Sequence, residues 1–303
     1  MKSLLIFIVA LLVNTGAHAI KVITPEVFTP QSNPSMIDSS ISTNGYIVFD
    51  SVSDANDLES LAKLIRELVK ESPHGKQLGF FELYHDYSIA KIRQNENLYS
   101  AFKTIWKRPD LWVVFDRVIY MDQTDMEKDL PLHVDQNPHQ HPYFSNLQGL
   151  LAIEDVDEST GMPALIPGSH EWFKEYEQWS DHKQGWIQYK GNDYSKQLGE
   201  LTAIRLKAGQ ILIWDSRTTH SRVLPMVQKD KVKQRMLAMV TFMPAKKDSV
   251  LINKRIKAYE HGGGFYDHDA GLRKTANSKV ESLRVKEERL SELGKKLYGI
   301  EPW

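Results

Sequence analysis

The spacing of apolar residues changes character several times along the chain. Residues 20–40 carry three prolines and little periodicity, which predicts an extended arm. The stretch "NGYIVFD" (44–50) then reads as a turn followed by a strand. Leu58, Leu61, Ile65 and Leu68 recur at intervals of three and four, the period of an amphipathic helix, with Ser53 or Asp54 placed to cap it. A second helical stretch is expected over residues 87–107. From Leu111 the pattern becomes that of strands. "LWVVFDRVIYM", "LQGLLAI", "MPALIPG", "LTAIRL", "QILIWD" and "RMLAMVTFMP" are short, β-branched and aromatic, and turn-rich loops separate them. Near the end, Val280, Leu283, Leu290, Leu293 and Leu297 form one helical stripe amid Lys and Glu. These patterns predict a mostly β protein, a sandwich or barrel flanked by α-helices, with residues 20–303 forming a single domain. "HGGGF" (261–265) is a loop without the preceding strand and following helix that a phosphate-binding loop requires.

Composition narrows the function classes. The 303 residues are 41% hydrophobic and 25% charged, with a formal net charge of −1. That balance gives no electrostatic reason to expect nucleic acid or an anionic membrane surface as a partner. Residues 1–19 differ from the rest: Lys2, an apolar run over 4–13, then Ala17-His18-Ala19. This is the charged, hydrophobic and small-x-small order of a signal peptide. The apolar run is too short to cross about 30 Å of hydrocarbon, and no other stretch is long enough for a stable span. The expectation is export, periplasmic or secreted, with a mature chain starting at Ile20; the protein would be cytoplasmic if the signal is not used. The chain has no cysteine, so any metal must be held by His, Asp or Glu.

One segment concentrates such ligands: "LHVDQNPHQH" (132–141). On a strand, residues i and i+2 point to one face, so His133 and Asp135 can converge while Val134 turns away. A third ligand must come from far along the chain, and His220, after the "QILIWD" strand, is the best placed. Two histidines and one carboxylate on one side of a metal, with the other side open, are the signature of non-haem Fe(II) oxygenases. Taken alone, H-x-D is a weak motif, also met in histidines that are merely exposed or hydrogen-bonded. His139 and His141 are a second i, i+2 pair, but no third partner is evident for them.

Several further motifs occur in a recognisable order: "NGYIVFDSV", "DLWVVFDRV", "LHVDQNP", "QGLLAIEDVDESTGMPALIPGSH", "AGQILIWDSRTTHS" and the ending "LSELGKKLYGIEPW". Together they resemble the phytanoyl-CoA dioxygenase-like family of Fe(II)- and 2-oxoglutarate-dependent oxygenases, over nearly the whole chain after residue 19. The resemblance implies a double-stranded β-helix, a jelly-roll or cupin-like core with the metal at its mouth. It implies Fe(II) on His133, Asp135 and His220, and 2-oxoglutarate as co-substrate. The far carboxylate of 2-oxoglutarate needs a cation, and Arg suits a carboxylate because it stays charged and can pair in a bidentate way. The matching residue is Arg235, with Arg222 as the alternative; Arg117 and Gln148 are weaker candidates for co-substrate or substrate contacts. His170, in the Pro-Gly-Ser-His corner, is expected to be structural. The implied activity is hydroxylation of a small-molecule substrate by O2, with release of succinate and CO2. Two other readings stay open at this level: a jelly-roll binding protein that keeps the fold without redox activity, and a zinc hydrolase using the same ligands. The motifs do not select a substrate.

Overall fold

The computed structural model describes residues 20–50, 52–71, 76–77, 79–125, 130–176, 185–188, 199–265, 272–273 and 284–303. The leader expected over residues 1–19 lies outside these, as do Val280 and Leu283 of the C-terminal stripe. Among the described residues, no helix is long and apolar enough to cross a membrane.

Eight strands build the core in two facing layers. Val118–Met121, Leu147–Ala152, Ile211–Asp215 and Arg235–Met239 lie side by side in the larger sheet, and Leu130–Val134, Met162–Leu165, Thr202–Ile204 and His220–Val223 in the smaller. All pairings among these eight are antiparallel. Along the chain the strands pass mostly from one layer to the other, which is the double-stranded β-helix expected from the sequence. Parallel additions, Lys21–Ile23 against Thr202–Ile204 and Val27–Phe28 against Tyr46–Phe49, make both sheets mixed, and neither sheet closes on itself.

The larger sheet is buried on both faces, which explains why its strands read as unbroken apolar runs rather than alternating ones. Ile211, Ile213, Met236, Ala238 and Leu151 face a core shared with the helices, while Leu212, Trp214, Leu237 and Ala152 face the smaller sheet. The helix Ala55–Glu71 delivers Leu58, Leu61, Ile65 and Leu68 to the first of these cores, as their spacing requires. Burying each such Leu or Ile is worth about 1.5–3 kcal/mol.

Four expectations need correction. The arm over residues 20–40 is extended only in part: a helix, Pro34–Asn44, begins inside it. Asn33 caps that helix through the amide of Ser35, and Pro34 occupies the first turn, where a missing N–H costs nothing. The helical stretch over 87–107 is two helices, Tyr87–Arg93 and Glu96–Trp106, the second capped by Asn95. The runs starting at Leu111 and Arg235 each break in two, because Val114 donates to the carbonyl of Thr241 and Val240 to that of Gly149. There the chain leaves the large sheet for a separate two-stranded one, Leu111–Val113 with Phe242–Pro244. Among the described residues the C-terminal stripe is α-helical over Glu292–Tyr298, where Leu297 is buried, and Leu290 precedes that helix.

Candidate metal centre

His133 sits in the strand Leu130–Val134 directly opposite His220, the first residue of His220–Val223. Asp135 follows just past the strand end. The register between these strands slips between His220 and Arg222, so that Arg222 faces Leu130. The extra residue forms a bulge around Pro131, which has no N–H to lose from the ladder. The carbonyl of Pro131 accepts from Nδ1 of His133 at 2.8 Å, and that of Thr218 accepts from Nδ1 of His220 at 2.9 Å. A carbonyl can only accept, so both Nδ1 atoms carry a proton, and Nε2 is the atom that each ring has left for a metal. Those atoms converge on Asp135. His133 Nε2 is 3.8 Å from Oδ1, and His220 Nε2 is 3.4 Å from Oδ2. One donor atom from each of the three residues lies within 4.8 Å of the others, and they are the one such cluster found among the described residues. Metal bonds of about 2.1 Å set adjacent donors roughly 3.0–3.4 Å apart, so the set fits a metal after small side-chain shifts.

The surroundings hold this geometry. Burial first, and then the repulsion that two protonated rings this close would feel, lowers His133 to about 4, so its imidazole is neutral and ready to ligate near neutral pH. Gln148 donates its amide N–H to Asp135 Oδ2. Gln136 is tied to the carbonyls of His141 and Tyr143 and to the hydroxyls of Ser145 and Ser216, which fixes the chain just after Asp135. The Pro-Gly-Ser-His corner pins the approach to His220: Ser169 Oγ accepts from the Thr219 amide at 2.9 Å, and Tyr176 shares a hydrogen bond with the Thr219 hydroxyl. Gly45 closes the Pro34–Asn44 helix at φ 74°, and its carbonyl takes the Asp215 amide and the Thr218 hydroxyl. A Cβ there would meet His170 Nδ1 and Thr218 Oγ1 at 2.5 Å, so only glycine lets this helix end pack on the turn before His220. His170 donates to, or accepts at, no metal donor; its Nε2 bonds the Ser42 carbonyl, a structural contact as expected.

Arg235 lies in the Arg235–Met239 strand on the same face as Leu237, toward the smaller sheet. It is 5% exposed, its Nε has no partner, and its Nη2 contacts the sulfur of Met121 at 2.6 Å. Arg222, two residues after His220, reaches the same sulfur at 3.3 Å. No anion among the described residues offsets the Arg235 charge; burial and then Arg222 lower it to about 9. Arg235 and Arg222 are thus brought to one point, the sulfur of Met121. Arg117 is engaged elsewhere, with Asp116 and over the ring of Phe80 at 4.2 Å. His139 and His141 are exposed and do not join the triad. Three residues at the site had no local signal in the sequence. Met121 lies between the arginines, Trp186 stands edge-on to His133 with centroids 5.0 Å apart, and Trp214 packs on His220 at 5.3 Å. Only the three-dimensional pairing reveals them.

The sequence profile of the phytanoyl-CoA dioxygenase (PhyH) family matches residues 41–221, which span both histidine segments. No curated protein matches the chain. Among solved structures, a hypothetical protein of Escherichia coli is similar with a TM-score of 0.67 at 14% identity, covering 94% of this chain and 86% of its own. The epimerase SnoN, in complex with Fe3+, alpha ketoglutarate and nogalamycin RO, aligns with a TM-score of 0.51 at 15% identity over 70% of this chain and 85% of its own. EctD from S. alaskensis, with bound Fe, gives 0.51 at 13% over 71% and 78%. At these identities the likeness is one of fold.

Proposed function

This chain belongs to the phytanoyl-CoA dioxygenase family, and on that premise we propose that it is an Fe(II)- and 2-oxoglutarate-dependent dioxygenase that hydroxylates a small molecule. The observation that carries this reading is the convergence of His133, Asp135 and His220 with both Nε2 atoms aimed inward. Two imidazoles and one carboxylate suit Fe(II) and leave its remaining positions open. When bound, iron and 2-oxoglutarate supply the oxidation: O2 converts 2-oxoglutarate to succinate and CO2 while a substrate C–H becomes C–OH.

The chain's own residues bind and orient. His133 and His220 ligate through Nε2 and Asp135 through its carboxylate. Gln148 holds that carboxylate in place; such outer hydrogen bonds tune metal affinity. Arg235, with Arg222 beside it, pairs with the far carboxylate of 2-oxoglutarate, a role supported by a buried guanidinium with no anion of its own. The two sheets keep bulk water from that end of the site. The partners are O2 and a small-molecule substrate. We also propose that residues 1–19 are a signal peptide and that the protein acts after export.

Equilibrium dialysis with Fe(II) under argon tests the ligand set. Wild type should retain one iron per chain and His220→Ala none. Adding 2-oxoglutarate should produce a visible charge-transfer band in wild type. Iron retention that His220→Ala leaves unchanged refutes the assignment.

A further inference from the structure

Met121 and Arg235 stand directly opposite each other on the neighbouring strands Val118–Met121 and Arg235–Met239. Opposite residues share a face, and this face looks toward the smaller sheet, where Met121 is 1% exposed. Arg222 reaches the same place from the smaller sheet, in the strand that begins at His220. Nη2 of Arg235 lies 2.6 Å from the Met121 sulfur, and Nη1 of Arg222 lies 3.3 Å from it. The thioether is also held from behind. A Cβ on Gly79 would meet Met121 Cγ at 2.6 Å and its sulfur at 3.2 Å, so the side chain packs against the bare Gly79 backbone. The Gly79 carbonyl in turn accepts from the Tyr120 amide at 2.9 Å, which ties that backbone to the strand of Met121.

Core filling accounts for the side chain of Met121 but not for two cations meeting at its sulfur. A thioether is a weak, uncharged acceptor. It does not offset two guanidiniums, which repel each other, and burying Arg235 without an anion is costly. A carboxylate fits this pair of donors. It accepts from two arginines at once, through charge-assisted bonds roughly twice as strong as neutral ones. Resting on the dioxygenase reading, we infer that Met121 is a placeholder in the co-substrate site. Its thioether engages Arg222 and Arg235 in the ligand-free protein and yields them to the far carboxylate of 2-oxoglutarate. Met121 is thereby a specificity-determining residue for the co-substrate. A keto acid with a second carboxylate gains both arginines; one without it leaves the sulfur in place and gains neither.

Calorimetric titration of the full chain, loaded with Zn(II) in place of iron, tests this with 2-oxoglutarate and 2-oxobutyrate as probes, beside thermal melts of the ligand-free protein. Met121→Glu puts a carboxylate of the chain's own against the two arginines. It should melt above wild type and bind 2-oxoglutarate about a hundredfold more weakly, the loss of two charged hydrogen bonds. Its binding of 2-oxobutyrate, which has no second carboxylate, should stay at the wild-type level. Met121→Leu keeps a similar volume and removes the acceptor, so it should bind 2-oxoglutarate at least as tightly as wild type, having no contact to give up. A purely packing role predicts otherwise: Met121→Glu would melt lower, because a charge enters the core, and both keto acids would change alike. The inference is overturned if Met121→Glu melts no higher than wild type, if it binds 2-oxoglutarate as well or weakens 2-oxobutyrate equally, or if Met121→Leu weakens 2-oxoglutarate. The wild-type protein isolates the underlying reading. If it binds neither keto acid, the dioxygenase reading fails; if it prefers 2-oxoglutarate while both Met121 variants behave as wild type, this inference alone fails.

Discussion

Replacing Arg235 by Met should stabilise the ligand-free protein and abolish its response to 2-oxoglutarate. Arg235 is a buried cation whose described contact is the sulfur of Met121, and burial, then the nearby charge of Arg222, lowers its folded-state pKa to about 9. The sign follows from linkage. The folded state resists the charged form, so the penalty is fully present below about pH 9 and is relieved only as pH rises from there toward the ordinary arginine range. At about 1.4 kcal/mol per tenfold change, that drop puts the cost on the order of a few kcal/mol. Relaxation and water penetration reduce it, and Met fills a similar volume, so a gain of about 1–3 kcal/mol is expected. For a chain of this size that is a rise in Tm of about 2–10 °C. Saturating Fe(II) and 2-oxoglutarate under argon should close or reverse the gap. Wild type gains about 2.7 kcal/mol at a hundredfold excess over Kd, and Arg235→Met gains only what the metal provides. Differential scanning fluorimetry with and without ligands reads both effects. If Arg235→Met melts several degrees lower without ligand, or keeps a full 2-oxoglutarate shift, the carboxylate role is wrong and Arg222→Met is the next variant to measure.

Removing the hydrogen bond from Gln148 to Asp135 with Gln148→Leu should weaken Fe(II) binding by about 10–100-fold while leaving the fold intact; unchanged affinity in a dialysis series would refute its orienting role. His85 is fully buried, its Nε2 donates to the Gly263 carbonyl, and burial lowers it to about 3. Because the folded state keeps it neutral while the unfolded chain protonates below about 6.5, this stability is present above that value and is lost as pH falls toward 3. The slope is up to about 1.4 kcal/mol per pH unit, and urea titrations of His85→Gln should show a shallower acid slope than wild type. For export, mass spectrometry of the protein from its native host should find a chain beginning at Ile20; an intact Met1 in the soluble cytoplasmic fraction would contradict it.

Which parts of this structure could be read from the sequence follows from how far apart the deciding contacts lie. His133 and Asp135 were legible because a strand places i and i+2 on one face, and the apolar runs around Leu150 and Ile213 reported strands buried on both sides. The Pro34–Asn44 helix was hidden because its proline, which marks the first turn, also reads as an arm. The break after Val113 was hidden because its cause, the Thr241 carbonyl, lies far along the chain. The meeting of Arg222 and Arg235 at Met121 depends on strands from both sheets, so no local spacing announces it.

The central claim is that His133, Asp135, His220 and Arg235 together support oxidation coupled to 2-oxoglutarate. The most direct measurement is succinate formed from 2-oxoglutarate by Fe(II)-loaded protein on admission of O2, compared with His220→Ala. Wild type should release succinate and consume O2 in step, and His220→Ala should release only the metal-free background. Wild-type protein that retains Fe(II) and 2-oxoglutarate yet forms no succinate above that background, even with substrate candidates present, would contradict the account.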